Sequence, residues 1–387
     1  MNEPYDLLIV GGGSAGLTAA DFALQLGARV ALVEKRRLGG DCTWSGCVPS
    51  KTLLKAARVA HQMRHADRYG LTPVAPDVDL KRVMAHVRSV IASVYEHESP
   101  EALRAGGIDV YLGVARFLDP HTLAVGQTRL TARRILLATG AHPYLPPLAG
   151  LAETPTLTYE TVWALEELPR RLLVVGGGPI GCELAQAFQR LGSQVTLLAG
   201  RDRLLPREDP AASRVLEEVL TTEGVELHTL ARAERLWQDG AGIHVAAGET
   251  EAVGDALLLV VGRRPNVAGL DLDKAGVAYS RAGIQADANL RTGPRHIYAA
   301  GDCLGGPQFT HYAAWQAVMA VRNMLLPGSS SGSTERVPRT TFTDPEVAHV
   351  GLSEAQARER FGDAALVSRW DMAQVDRART EGGTAGF

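Results

Sequence analysis

Hydrophobic and polar positions along the chain spell out one unit twice. "DLLIVGGGSAG" (6–16) is an apolar run that breaks into glycines. Apolar residues then recur at helical spacing until a second apolar run, "LGARVALVE" (26–34). "RLLVVGGGPIG" (171–181) and "LGSQVTLLA" (191–199) repeat this in register without a gap. Each copy predicts strand, glycine turn, helix, strand, the setting that a dinucleotide fingerprint requires. Apolar and charged residues alternate at helical spacing over 50–66 and 80–105, predicting helices there. "YLPPLAGL" (144–151) is a proline-rich crossing, and "LLPGSSSGSTE" (325–335) is a Gly/Ser-rich linker with neither period. The pattern predicts an α/β chain with mostly parallel sheets.

The glycines of the two G-x-G-x-x-G runs have separate duties. Gly11 and Gly176 make the tight turn, and Gly13 and Gly178 let the backbone approach a pyrophosphate. Gly16 and Gly181 let helix and strand pack closely, while the helix N-terminus offers N–H groups and a positive dipole end to the phosphates. The copies differ at the end of the second strand. The first ends on Glu34, the acid expected to accept hydrogen bonds from a ribose 2′-OH. The second has Ala199 in register, followed by Gly200, Arg201, Asp202 and Arg203. Arginines without the acid favour a 2′-phosphate, hence NADPH over NADH. A plain solvated turn would use the same residues.

Composition narrows the class. The chain has 387 residues, 45% apolar and 21% charged, with a formal charge of −3. That length suggests two or three domains, and the charge gives no reason to expect a nucleic-acid partner or an anionic membrane surface. No apolar run is long enough to span a bilayer. Glu3 and Asp6 stand where a signal peptide would be basic, so a cytoplasmic location is expected. Four cysteines in so long a chain are not a disulfide framework.

Two of the four cysteines lie in "GGDCTWSGCVPSK" (39–51). A zinc site lacks its second pair, because Cys182 and Cys303 stand alone, and an iron–sulfur motif lacks its third cysteine. No metal is expected. Residues i and i+5 of a regular helix lie roughly 140° apart around the axis. Bridging them within about 7 Å of Cα separation needs a distorted first turn, which Gly46 would permit. A helix start also lowers the pKa of a thiol placed there. The pair reads as a redox-active disulfide, and with two dinucleotide sites it suggests a flavin relaying electrons from a nicotinamide. Cys182 and Cys303 read as packed core residues.

"GGDCTWSGCVPSK" resembles the active-site motif of the class I flavoprotein disulfide reductases, the family of dihydrolipoamide dehydrogenase, glutathione reductase and mercuric reductase. "ILLATGAHP" (135–143) is similar to the segment closing the first FAD-binding stretch, and "IYAAGDC" (297–303) to the second FAD motif. "QFTHYAA" (308–314) would start the helix facing the flavin's pyrimidine edge. "VGRRPN" (261–266) resembles the return segment, and "RTTFTDPEVAHVGLSE" (339–354) the opening of the dimerisation domain. The phrasing is nearest to mercuric reductase-like members.

The resemblance implies two Rossmann-like dinucleotide-binding domains plus a partial C-terminal α+β dimerisation domain. It places a first FAD-binding part at 1–148, an NAD(P) domain at 149–266 and a second FAD part at 267–326. A linker at 327–335 and a partial dimerisation domain at 336–387 complete it. Cys47 would be the flavin-proximal thiol and Cys42 the interchange thiol, with Lys51 and Glu183 paired near flavin N5. Gly40, Thr139, Gly140, Asp302 and His311 would line the FAD site, and Gly262 would join the NADPH site. His311 reads equally as a hydrogen-bonded helix-start histidine. Trp44 would narrow the approach to Cys42. The implied activity is NADPH-dependent, FAD-linked reduction of a small-molecule disulfide or of Hg(II), in a homodimer. A dihydrolipoamide dehydrogenase-like enzyme using NAD, a diaphorase or quinone reductase with idle cysteines, and a non-catalytic nucleotide-binding protein are the alternatives. The family's acid–base histidine falls later in its dimerisation domain and has no match here, which leads one to expect a longer parent chain.

Overall fold

The computed structural model describes residues 3–387. They form two compact units, each assembled from three stretches of chain. The first unit takes residues 3–48, Ser89–His142 and Arg263–Val337, and the second takes Pro49–Arg88, Pro143–Gly262 and Pro338–Phe387.

In the first unit the strand Tyr5–Val10 lies between Val30–Glu34 and Thr128–Leu137, parallel to both. Asp109–Leu112 extends the sheet beyond Val30–Glu34, and Ile297–Ala299 pairs with Thr128–Leu137. Successive residues of the first strand point to opposite faces, and both faces are buried. Leu8 and Val10 enter one apolar cluster with Phe117, Ile135 and Ile297. Leu7 and Ile9 enter the other with Leu32 and Leu136. Continuous apolar runs are what a sheet covered on both sides demands. On the second face, Ala15, Ala19, Ala20 and Ala23 of the helix Ser14–Gln25 share that cluster with Ala313, Ala317 and Ala320 of the helix Thr310–Leu325. Small side chains let the two backbones approach closely.

The register brings Val10, Val33, Leu137 and Ala299 to one edge, because Val10 is opposite both Val33 and Leu137, and Leu137 opposite Ala299. Ligands of open parallel sheets bind beyond this carboxyl edge. The Gly/Ser run at 325–335 is irregular and fastened to this unit. Asn323 exchanges hydrogen bonds with the Ser330 backbone (2.8 and 2.7 Å), and the Gly332 N–H donates to the Ala288 carbonyl (2.8 Å).

The second unit repeats the parallel core with Glu226–His228, Gln194–Leu198, Arg171–Val175 and Ala256–Leu259 in that order. A three-stranded antiparallel sheet of Arg235–Asp239, Gly242–Ala247 and Thr250–Gly254 shares its apolar cluster. The C-terminal stretch pairs Arg339–Thr341 with Val347–His349, then forms the helix Glu354–Phe361 behind a Ser353/Gln356 capping box. No described helix is long and apolar enough to cross a membrane.

Candidate active site

At the first fingerprint the chain is built around missing side chains. A Cβ on Gly16 would collide with the Gly11 carbonyl, so the helix can sit on the turn only with glycine there. Gly11 itself has a φ of +112°. Gly40 lies against Gly13 with nothing but backbone between them, and a Cβ added to Gly13 would meet only the Gly40 Cα, at 3.6 Å. Glu34 ends its strand with Oε2 accepting the Gly12 N–H (2.8 Å) and Oε1 the Arg36 N–H (2.8 Å). Each carboxylate oxygen keeps acceptor capacity for a hydroxyl. Thr139 and Asn266 close the edge, the threonine hydroxyl donating to the Asn266 carbonyl (2.6 Å) and the Asn266 amide returning a bond to the Thr139 carbonyl (2.8 Å). The space beside Gly140 is open. An open glycine edge, a helix N-terminus and an acid with spare lone pairs fit the adenosine and pyrophosphate of FAD.

Asp302 lies beyond the end of the Ile297–Ala299 strand with its side chain 13% exposed. Burial raises its carboxyl above the usual range, although Arg263 opposes the shift. The Arg263 guanidinium bridges Asp302 (2.7 Å) and Asp41, joining the second FAD motif to the cysteine segment. Arg263 was not among the residues singled out from sequence, since nothing local in "VGRRPN" marks which arginine turns inward.

The second fingerprint has the same architecture, with Gly181 against the Gly176 carbonyl and Gly178 and Gly262 facing open space. Where Glu34 meets Gly12, Ala199 faces Gly177 and offers no acceptor. Arg201 is exposed. Arg203 is half-buried, donating to the Pro206 carbonyl (3.1 Å) and lying 3.6 Å from Asp202.

The cysteines sit on two helices rather than on one distorted turn. Cys42 belongs to the short helix Gly40–Trp44, and Cys47 opens the helix Cys47–Arg64. Between them the Ser45 and Gly46 N–H groups both donate to the Asp41 carbonyl (2.9 and 2.5 Å). Gly46 is needed for closeness and not for a left-handed backbone, because a Cβ there would stand 2.8 Å from the Asp41 oxygen. A hydrogen bond from the Cys42 thiol to the Cys47 sulfur, followed by burial and the charge on Cys47, pushes the Cys42 thiol well up. The Cys47 sulfur lies 3.3 Å from the Thr310 hydroxyl, which also works against the rise at Cys42.

The bed of the pair is also defined. Thr43 donates to Glu98 (2.7 Å), and Trp44 donates to the Leu38 carbonyl (2.6 Å) between Arg37 and Tyr95. His311 is exposed and stacks on Phe309. Cys182 and Cys303 are fully buried, and burial pushes the Cys303 thiol up to about 12.

In the second unit, Lys51 Nζ lies 2.9 Å from Glu183 Oε2 across 132 residues of chain. Glu183 is buried, and its other oxygen accepts the Phe342 N–H (2.9 Å). Lys51 follows Cys47 by one turn of the same helix. Phe342 and Thr310, like Arg263, are contacts that local sequence did not flag.

Two family profiles match the chain. "Pyridine nucleotide-disulphide oxidoreductase" covers residues 5–317, and the dimerisation domain of the same description covers 337–387. The chain is 38% identical to a mercuric reductase of Bacillus cereus, over 93% of this chain and 58% of that protein. It is 37% identical to a dihydrolipoyl dehydrogenase of Bacillus subtilis, over 93% of this chain and 80% of that protein. Among solved structures, the Cu(II) complex of the HOCl-induced flavoprotein disulfide reductase RclA from Escherichia coli superposes with a TM-score of 0.88 at 31% identity. That match covers 100% of this chain and 85% of RclA.

Proposed function

Because the chain belongs to the pyridine nucleotide-disulphide oxidoreductase family, we propose that it uses NADPH and FAD to reduce a small-molecule disulfide or a thiophilic metal ion such as Hg(II) at Cys42 and Cys47. The carrying observation is the placement of the cysteine pair, with Cys42 on the short helix Gly40–Trp44 and Cys47 at the start of the next helix beside the Thr310 hydroxyl. Bound FAD supplies the two-electron link between a nicotinamide hydride and the cysteine disulfide. Gly11, Gly13, Gly16, Glu34, Gly40, Thr139, Gly140 and Asp302 hold it, with His311 at its rim. Gly176, Gly178, Gly181, Gly262, Arg201 and Arg203 hold the nicotinamide nucleotide, and Lys51 and Glu183 mark the entry point for hydride.

With a disulfide substrate the dithiol does the work. Cys42 passes its proton to the Cys47 thiolate, its own thiolate attacks one substrate sulfur to form a mixed disulfide, and the expelled substrate thiolate takes the proton back from Cys47. The Cys47 thiolate then attacks the Cys42 sulfur, leaving a Cys42–Cys47 disulfide and releasing the second substrate thiolate, which takes a proton from water. The substrate gains two electrons and the pair loses two. The segment matched by the dimerisation profile supports a homodimer as the working form.

An NAD-linked, dihydrolipoamide dehydrogenase-like enzyme is the second reading, favoured by the Asp202 carboxylate beside Arg203. NADPH and NADH oxidation should be followed with lipoamide, Hg(II) and a quinone, in wild type and Cys42→Ser. Loss of lipoamide or Hg(II) turnover in Cys42→Ser supports the thiol route. Turnover that survives the substitution makes the protein a diaphorase with idle cysteines.

A further inference from the structure

Three side chains on one face of the helix Pro179–Leu191 close on a single short segment, Phe342–Asp344. Glu183 takes the Phe342 N–H, as described. Gln186, 1% exposed, grips Asp344 in both directions, accepting its N–H (2.8 Å) and donating to its carbonyl (2.9 Å). Arg190 gives one nitrogen to the Asp344 carboxylate (2.8 Å) and forks onto Glu223 (2.8 and 2.5 Å). Burial works against charge on Arg190, yet Glu223 and Asp344 outweigh it and keep the guanidinium charged. A buried network with its partners in place specifies one arrangement of the segment it holds.

That arrangement decides where Phe342 sits. Its N–H meets Glu183, and its ring centroid lies 4.1 Å from Lys51 Nζ. The ammonium is therefore held between a carboxylate and an aromatic face, and both attractions need Phe342 in place. A lysine released from them spreads over many rotamers.

We propose that Gln186 and Arg190 are positioning residues for the Lys51–Glu183 pair, acting through the placement of Phe342. The proposal rests on the reading of that pair as the hydride entry point. It ties the C-terminal segment of the chain to a step carried out by residues far earlier in sequence.

The test is Gln186→Met, which keeps the length and removes the amide, in FAD-loaded protein. Flavin reduction by NADPH is followed by stopped flow. Separately, Lys51 is acylated in competition with Lys55, an exposed lysine one turn along the same helix. Reduction should slow by about 10- to 100-fold, and the Lys51/Lys55 labelling ratio should rise several-fold. In a Glu183→Gln background, Gln186→Met should cost nothing further in rate. Equal losses in both backgrounds, or an unchanged labelling ratio, would overturn the proposal. Should Gln186→Met fail to fold, Phe342→Leu must raise the same ratio, and no rise would overturn it equally. The ratio does not depend on NADPH, so it still reads the positioning claim if wild type proves unable to reduce flavin, a result that would defeat only the proposed function.

Discussion

The Cys47 sulfur lies 3.3 Å from the Thr310 hydroxyl, so the first residue of one long helix touches the first residue of another. Each helix start carries N–H groups without intrahelical acceptors and the positive end of a dipole. A thiolate at Cys47 gains from both ends and from the hydroxyl. The Cys42 thiol is pushed up, first by its hydrogen bond to the Cys47 sulfur.

Thr310→Val keeps the shape and removes the hydroxyl. A hydrogen bond to a charged group is worth about 1.5–3 kcal/mol. The pH at which a reduced enzyme develops its long-wavelength thiolate–flavin absorbance should rise by about 1–2 units. A pH titration of the visible spectrum reads this directly.

Cys47→Ala takes away both the hydrogen bond and the neighbouring charge that hold the Cys42 thiol up. Cys42 should then ionise at lower pH, and the midpoint of its alkylation by iodoacetamide should move down. Mass spectrometry across a pH series measures it. A midpoint that stays or rises would show that Cys47 is not the cause.

Arg263→Met removes the guanidinium that Asp302 and Asp41 share. Removing one partner of a buried ion pair costs about 3–5 kcal/mol, so the melting temperature and FAD retention should both fall. Burial already raises Asp302 above the value of an unfolded chain, so the fold favours its protonated form. Without Arg263 the cost falls where Asp302 must be charged, and the destabilisation should shrink from about pH 8 towards pH 5. Thermal unfolding at both pH values tests the sign.

Ala199→Glu restores the acid that Glu34 supplies in the first copy. The change should shift preference from NADPH towards NADH by about tenfold or more, roughly 1.4 kcal/mol. Equilibrium binding of both nucleotides gives the ratio.

Strong local patterns carried much of this fold into the sequence. Apolar runs ending in G-x-G-x-x-G foretold both parallel cores, because a strand buried on two faces must be apolar at every position, as Leu7 to Val10 are. The "QFTHYAA" stretch foretold the helix beginning at Thr310. The cysteine segment was legible as chemistry but not as geometry. Its break into two helices depends on how closely the Gly46 backbone approaches Asp41, which spacing alone does not encode. Arg263 on Asp41, Phe342 on Glu183 and Gln186 on Asp344 join residues 222, 159 and 158 positions apart. Such pairings leave no period in the chain, and only the fold reveals them.

The most direct measurement is an anaerobic titration of the FAD-loaded protein with NADPH, recording the visible spectrum. A long-wavelength charge-transfer band after one equivalent is the predicted result, placing the electrons on Cys42 and Cys47 with the Cys47 thiolate against the flavin. Bleaching of the flavin with no such band would contradict it, leaving the cysteines outside the electron path.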